Sequence, residues 1–143
     1  MYLLAAPCIP NVGFKINLDK MKTLQPNEAV LLNIYGDSRE TMMEVFSEFL
    51  TAYPGIRQTL FTAYESGNLR SLKRVLHYHA PSFMYLGLPE VAGVFNNLEI
   101  KCARVDNHFS LARDFAELMQ TVEGSWFHAK KEMENLQAAC LVI

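Results

Sequence analysis

The stretch Leu69–Gly87 reads LRSLKRVLHYHAPSFMYLG, and its phase decides how the chain is organised. At about 3.6 residues per turn, Leu72, Val75, Leu76, His79, Phe83 and Leu86 recur at spacings of three and four, which predicts a helix with one mostly apolar, inward stripe. Arg70, Lys73, Arg74 and His77 fall on a different face. The same helix therefore puts His77 among cations on the solvent side and His79 on the buried side. Pro81 follows His77 by four residues, so its missing N–H and its ring disturb the His77 carbonyl, and a bend is expected there.

Upstream, Asp37 and Ser38 are suitable caps, and Met42, Val45, Phe46, Phe49, Leu50 and Tyr53 repeat at helical spacing behind them. Pro54 and Gly55 interrupt, yet Ile56, Leu60, Ala63 and Tyr64 resume the period, so one long kinked helix is predicted, stopped by Gly67. Asn68 then caps the next helix. Earlier still, Asn17 is a plausible cap for a short helix carrying Leu18, Met21 and Leu24, which Pro26 ends, and Glu28 to Ile34 suits a second short piece. Downstream, Leu88 and Pro89 open a helix with Val91, Val94, Phe95, Leu98 and Cys102 on one face. Asp106 and Asn107 are turn or cap residues. From Phe109 to about Ala139 the apolar positions fit a long final helix, in which Gly124 costs about 1 kcal/mol relative to alanine. No convincing period-two segment, internal repeat or low-complexity tract is present. The sum is an all-α fold. It is expected as an antiparallel up-and-down four-helix bundle over residues 17–139, with short N-terminal lead-in helices, an irregular arm at 1–16 and a tail at 140–143.

The 143 residues fit one domain, and a net charge of -2 gives no general attraction to nucleic acid. Cys8, Cys102 and Cys140 are widely spaced without a CxxC pair, which argues against a disulfide framework or a structural zinc site and for a reducing compartment. The apolar start has no cationic residue and breaks at Pro7, so a signal peptide is not expected, and no segment is long enough to span a membrane. The final CLVI formally matches a prenylation box but reads more simply as an apolar helix end. A cytoplasmic protein is expected.

Nucleophilic catalysis by serine or cysteine is not signalled: there is no GxSxG elbow, no cysteine close to a histidine in sequence, and no glycine-rich phosphate loop. His77 and His79 diverge by about 200° around a helix and cannot share a metal, while His108 and His128 stand alone, so neither a metal site nor a cofactor is expected. Glu40, Glu44, Glu48, Glu117, Glu132 and Glu134 read as solvated helix surface. His77 remains. Neutral imidazole offers a ring nitrogen that can attack phosphorus without a dedicated base, and the phosphoryl group so bound carries about -1.5 to -2. Lys73 and Arg74, one turn behind on the same face, are placed to offset that charge.

HYHAPSFMYLG, His77–Gly87, resembles the phosphoacceptor helix of histidine phosphotransfer domains, whose pattern is roughly HxLKGSxxxLG. His77, Ser82, Leu86 and Gly87 sit at the matching spacings, and Leu98-Glu99 is similar to the family's LE in the next helix. GDSRETMMEVFSEFL (Gly36–Leu50) and ESGNLRSLKRVLH (Glu65–His77) resemble the opening of the bundle and the approach to the histidine. The resemblance spans roughly residues 17–138. It implies an antiparallel four-helix bundle whose exposed histidine takes a phosphoryl group from one receiver-domain aspartate and passes it to another. Such a carrier has no kinase activity of its own, and magnesium belongs to the receiver. The implied partners are receiver domains of response regulators or hybrid histidine kinases. On this basis His77 is the phosphoacceptor and His79 takes an apolar position. Lys73, Arg74, Arg70 and Ser82 neutralise phosphate or contact the partner, and Tyr78, Ala80, Pro81, Met84, Tyr85 and Gly87 line a docking surface. Two positions depart from the pattern: the family's lysine three residues after the histidine is Ala80, and the glycine after it is Pro81. A bundle that binds a receiver as an adaptor without carrying phosphate is therefore the alternative.

Overall fold

In the computed structural model, which describes residues 26–141, most helices start where a short polar side chain can cap them. α1 (Glu28–Tyr35) begins behind Asn27, whose side chain accepts from the Val30 amide at 3.2 Å. α2 (Arg39–Glu65) begins behind Ser38, which accepts from the Thr41 amide at 3.2 Å, and α3 (Leu69–Tyr85) behind Asn68, which accepts from the Ser71 amide at 3.1 Å. Each bond satisfies one amide that a first helical turn leaves unpaired. α4 (Pro89–Cys102) has no side-chain cap and starts on Pro89, whose ring presets the helical φ and has no N–H to orphan. A 3-10 turn (His108–Leu111), capped by Asn107, leads into α5 (Ala112–Leu141). No strand occurs among the described residues, and the fold is all-α.

Four boundaries differ from expectation, the first being α1, which runs one residue past Ile34 to Tyr35. The last helix starts at Ala112 rather than Phe109, because the Ser110 amide bonds the Asn107 side chain and carbonyl and tightens that turn to three residues. It continues to Leu141, past the expected end at Ala139. α3 ends at Tyr85, two residues short of Gly87, which takes the left-handed φ of +76°. α2 runs unbroken through Pro54, which is exposed, so water can satisfy the carbonyl that the proline leaves free. The expected arm at 1–16, the short helix behind Asn17 and the end of the CLVI match lie outside the described residues.

The core is drawn from every long helix. Phe46 and Leu60 of α2, Leu72, Leu76 and Phe83 of α3, Val91 and Phe95 of α4, and Phe115, Leu118 and Val122 of α5 are fully buried. Each such side chain contributes about 1.5–3 kcal/mol on leaving water. α3 packs against α2 and α4, and α5 packs against the same two helices. Phe83 ties α3 to both its neighbours, with the Phe49 ring edge-on at 5.5 Å and the Phe95 ring at 4.8 Å. The inward stripe of α3 is thereby fixed, and its opposite face is left to solvent.

α1 secures the downstream end of α3. The Asn27 amide donates to the Gly87 carbonyl and the Tyr35 hydroxyl to the Tyr85 carbonyl, both at 2.6 Å. Leu31 fills the space beside Gly87 so closely that a Cβ there would come 2.7 Å from the leucine Cγ. Carbonyls that a helix end leaves unpaired thus find donors on another helix.

Candidate functional site

His77 projects from the middle of α3 with its side chain 78% exposed, while Glu99 of α4 lies beneath it at 19%. The imidazole Nδ1 is 3.2 Å from one Glu99 carboxylate oxygen and 3.4 Å from the other. Glu99 is held in this place because Leu98 and Cys102, to either side of it on α4, are buried against α3 and the core. A carboxylate oxygen accepts, so Nδ1 is the donor of this bond, and Nε2 has no partner among the described residues. The site is a solvent-facing imidazole oriented by a carboxylate on the neighbouring helix.

His79 is different. It is half-buried, the Tyr78 ring stands edge-on to it at 5.0 Å, and burial pushes its pKa below the ordinary histidine value. Its place on the inward side agrees with the helical phase. His108 stacks its ring edge against Tyr64 at 5.1 Å, far from this site in the chain. Among the described residues no group of three His, Cys, Asp or Glu side chains could hold a metal ion.

Arg70, Lys73 and Arg74 are exposed on α3 upstream of His77, and none makes an ion pair among the described residues. The Cys102 thiol on α4 is pushed up by burial and by Glu99, with Lys73 partly opposing. Downstream, Tyr78 is 76% exposed, Tyr85 50% and Met84 38%; Pro81 is exposed and Ser82 half-buried.

Two expected members of the docking surface are corrected. Ala80 is 7% exposed and belongs to the hydrophobic core. Gly87 is buried under Leu31 of α1. Neither can line a surface. Glu99, by contrast, carried no assigned role in the sequence, although it stands in the Leu98-Glu99 pair that resembled the family's LE. Twenty-two positions separate it from His77, and only the packing of α3 on α4 brings the two together. Comparison of the chain with family models, with curated proteins and with solved structures finds no match.

Proposed function

We propose that this protein is a histidine phosphotransfer carrier: His77 accepts a phosphoryl group from the aspartyl phosphate of one receiver domain and passes it to another. The observation that carries this reading is the His77–Glu99 pair, an exposed imidazole whose Nδ1 is engaged by a carboxylate at 3.2 Å. In the transfer step the Nε2 lone pair forms the N–P bond as the bond from phosphorus to the receiver's carboxylate oxygen breaks, and that carboxylate leaves as the anion. The Nδ1 proton stays in place, and the positive charge that develops on the ring faces Glu99. No base is needed, and the reverse step loads the next receiver. Magnesium, where the reaction uses it, belongs to the receiver.

The scaffold in this reading is an antiparallel four-helix bundle of α2 to α5 with α1 leading in. Three-residue connections at 66–68 and 86–88 support it, because links this short join neighbours of opposite direction. Lys73, Arg74 and Arg70 take over the neutralising role that the family's lysine has and Ala80 lacks.

Incubation with a phosphorylated receiver is expected to give an acid-labile, alkali-stable label on the chain, lost completely in His77→Gln. Label that persists in His77→Gln excludes His77 as acceptor. Ala80 in place of the family's lysine leaves a second reading, an adaptor that binds receivers without carrying phosphate. Its signature is receiver binding with no transfer, unchanged in His77→Ala.

A further inference from the structure

The outward face of α4 has features that the folded chain itself does not use. At about 100° per residue, Glu90, Gly93, Asn96, Asn97 and Arg104 all lie within about 80° of Ile100 around the helix, and each is at least partly exposed. Arg104 stands just past the end of α4, where its amide bonds the Lys101 carbonyl at 2.9 Å and carries the turn on. Ile100 is 51% exposed, and a Cβ added at Gly93 would meet nothing within 4 Å. A glycine inside a helix weakens it relative to alanine, and among the described residues nothing exploits the close approach that Gly93 permits. Between Glu90 and Arg104 the face carries no charge, because Lys101 lies to one side and pairs with Asp114 at 3.1 Å. Neither Glu90 nor Arg104 makes an ion pair among the described residues.

We infer that this face pairs with the same face of a second copy of the chain, α4 antiparallel to α4 about a two-fold axis near Asn96 and Asn97. Gly93 and Ile100 lie on either side of that axis. Reversing one helix therefore sets the Ile100 side chain of each copy over the Gly93 gap of the other. Glu90 and Arg104 lie about 21 Å apart along the axis, too far to meet within one chain, and on the same side of the line through Gly93 and Ile100. The same reversal brings each Glu90 to the Arg104 of the other copy, so one surface supplies both halves of the charge complementarity. In a parallel pair the like charges would stand at the same height instead. Asn96 and Asn97 meet their counterparts at the axis, where side-chain amides both donate and accept. A face about 21 Å long and about 10 Å wide presents roughly 200 Å², well under the roughly 800 Å² per partner of a standard interface, so the pair is weak and concentration-dependent. Glu99 lies about 100° from Ile100 around α4, so the pairing leaves the His77 side uncovered and stands independently of the carrier reading.

Sedimentation equilibrium of the full chain, from about 10 μM to about 1 mM protein and at about 50 and about 500 mM salt, tests this. A monomer–dimer equilibrium is expected, weaker at the higher salt. Glu90→Arg alone and Arg104→Glu alone each set like charges against one another at both ends of the pair, and each is expected to weaken dimerisation at least about tenfold at low salt. Combining the two exchanges the charges and is expected to return the dimer to within about threefold of wild type. Because the two positions are about 21 Å apart in one chain, that rescue acts between copies. Ile100→Gln removes the apolar side chain from the gap over Gly93 and is expected to weaken dimerisation at least about fivefold with the charges intact. Circular dichroism of each variant checks that the helices are intact. A wild type that stays monomeric throughout, single charge reversals or Ile100→Gln that dimerise like wild type, or a double variant no better than the singles overturns the inference.

Discussion

At its upstream end α3 is capped by Asn68, the residue just before its first turn, whereas its downstream end is held by α1 through a hydrogen bond that spans fifty positions of sequence. The upstream cap is local: one side-chain oxygen, one amide three residues on. The downstream clamp is tertiary and combines two 2.6 Å hydrogen bonds to helix-end carbonyls with Leu31 packed into the space that Gly87 leaves open. His77 lies between them, in the stretch where α3 packs on α4 and Glu99 is within reach. α3 is thus pinned at both ends and braced in the middle. The three supports are legible in the sequence to very different degrees.

Four substitutions probe that arrangement. The largest effect is expected from Gly87→Ala, which demands a left-handed φ from a residue with a Cβ and drives that Cβ into Leu31. The two costs together come to about 3 kcal/mol, read by urea unfolding, and a variant as stable as wild type would mean that α1 does not clamp this end. Next comes Glu99→Ala, which frees the imidazole to adopt either tautomer and rotate. On the proposed carrier reading, phosphotransfer to His77 is expected to slow on the order of tenfold or more with little change in stability, as measured by label incorporation over time.

Tyr35→Phe and Asn68→Ala compare the clamp and the cap directly. Tyr35→Phe leaves the Tyr85 carbonyl without its donor and is expected to cost about 1.5 kcal/mol. Asn68→Ala removes a side-chain cap at an exposed helix start, worth about 1 kcal/mol. Equal costs, or the reverse order, would show that the two ends are secured alike. Hydrogen exchange at Phe83 to Leu88 is expected to quicken in the first variant and at Leu69 to Leu72 in the second.

The smallest effect concerns pH. Burial lowers the pKa of His79 in the folded state, so the unfolded chain binds that proton more readily. The contribution of the neutral, half-buried ring is intact above the unfolded value near about 6.5 and is lost as pH falls from there toward the depressed folded value. His79→Leu is expected to flatten the melting temperature between about pH 7 and about pH 5 relative to wild type. An unchanged slope would show that His79 titrates in the folded protein as it does in the unfolded chain.

Periodicity and capping chemistry account for what was legible. Asn68, Ser38 and Asn107 are caps where short polar side chains precede helical repeats, and Pro89 starts a helix because it needs no amide partner. The opposite environments of His77 and His79 follow from two residues' rotation around one axis. The start of α5 was misread because the apolar repeat continues through Phe109 and Leu111 while Asn107 tightens the backbone beneath it, and periodicity does not distinguish a 3-10 turn from the first turn of an α-helix.

What the sequence by itself determined is the set of helices and the direction in which each side chain points relative to its own helix axis: His77 outward, His79, Leu76 and Phe83 inward. The packing of one helix on another decided the rest. It brought Glu99 of α4 under His77, covered Ala80 and carried α1 to the end of α3. The physical reason is that a helical repeat depends on residues three and four apart, whereas the height and rotation at which two helices meet depend on how all their buried side chains interlock.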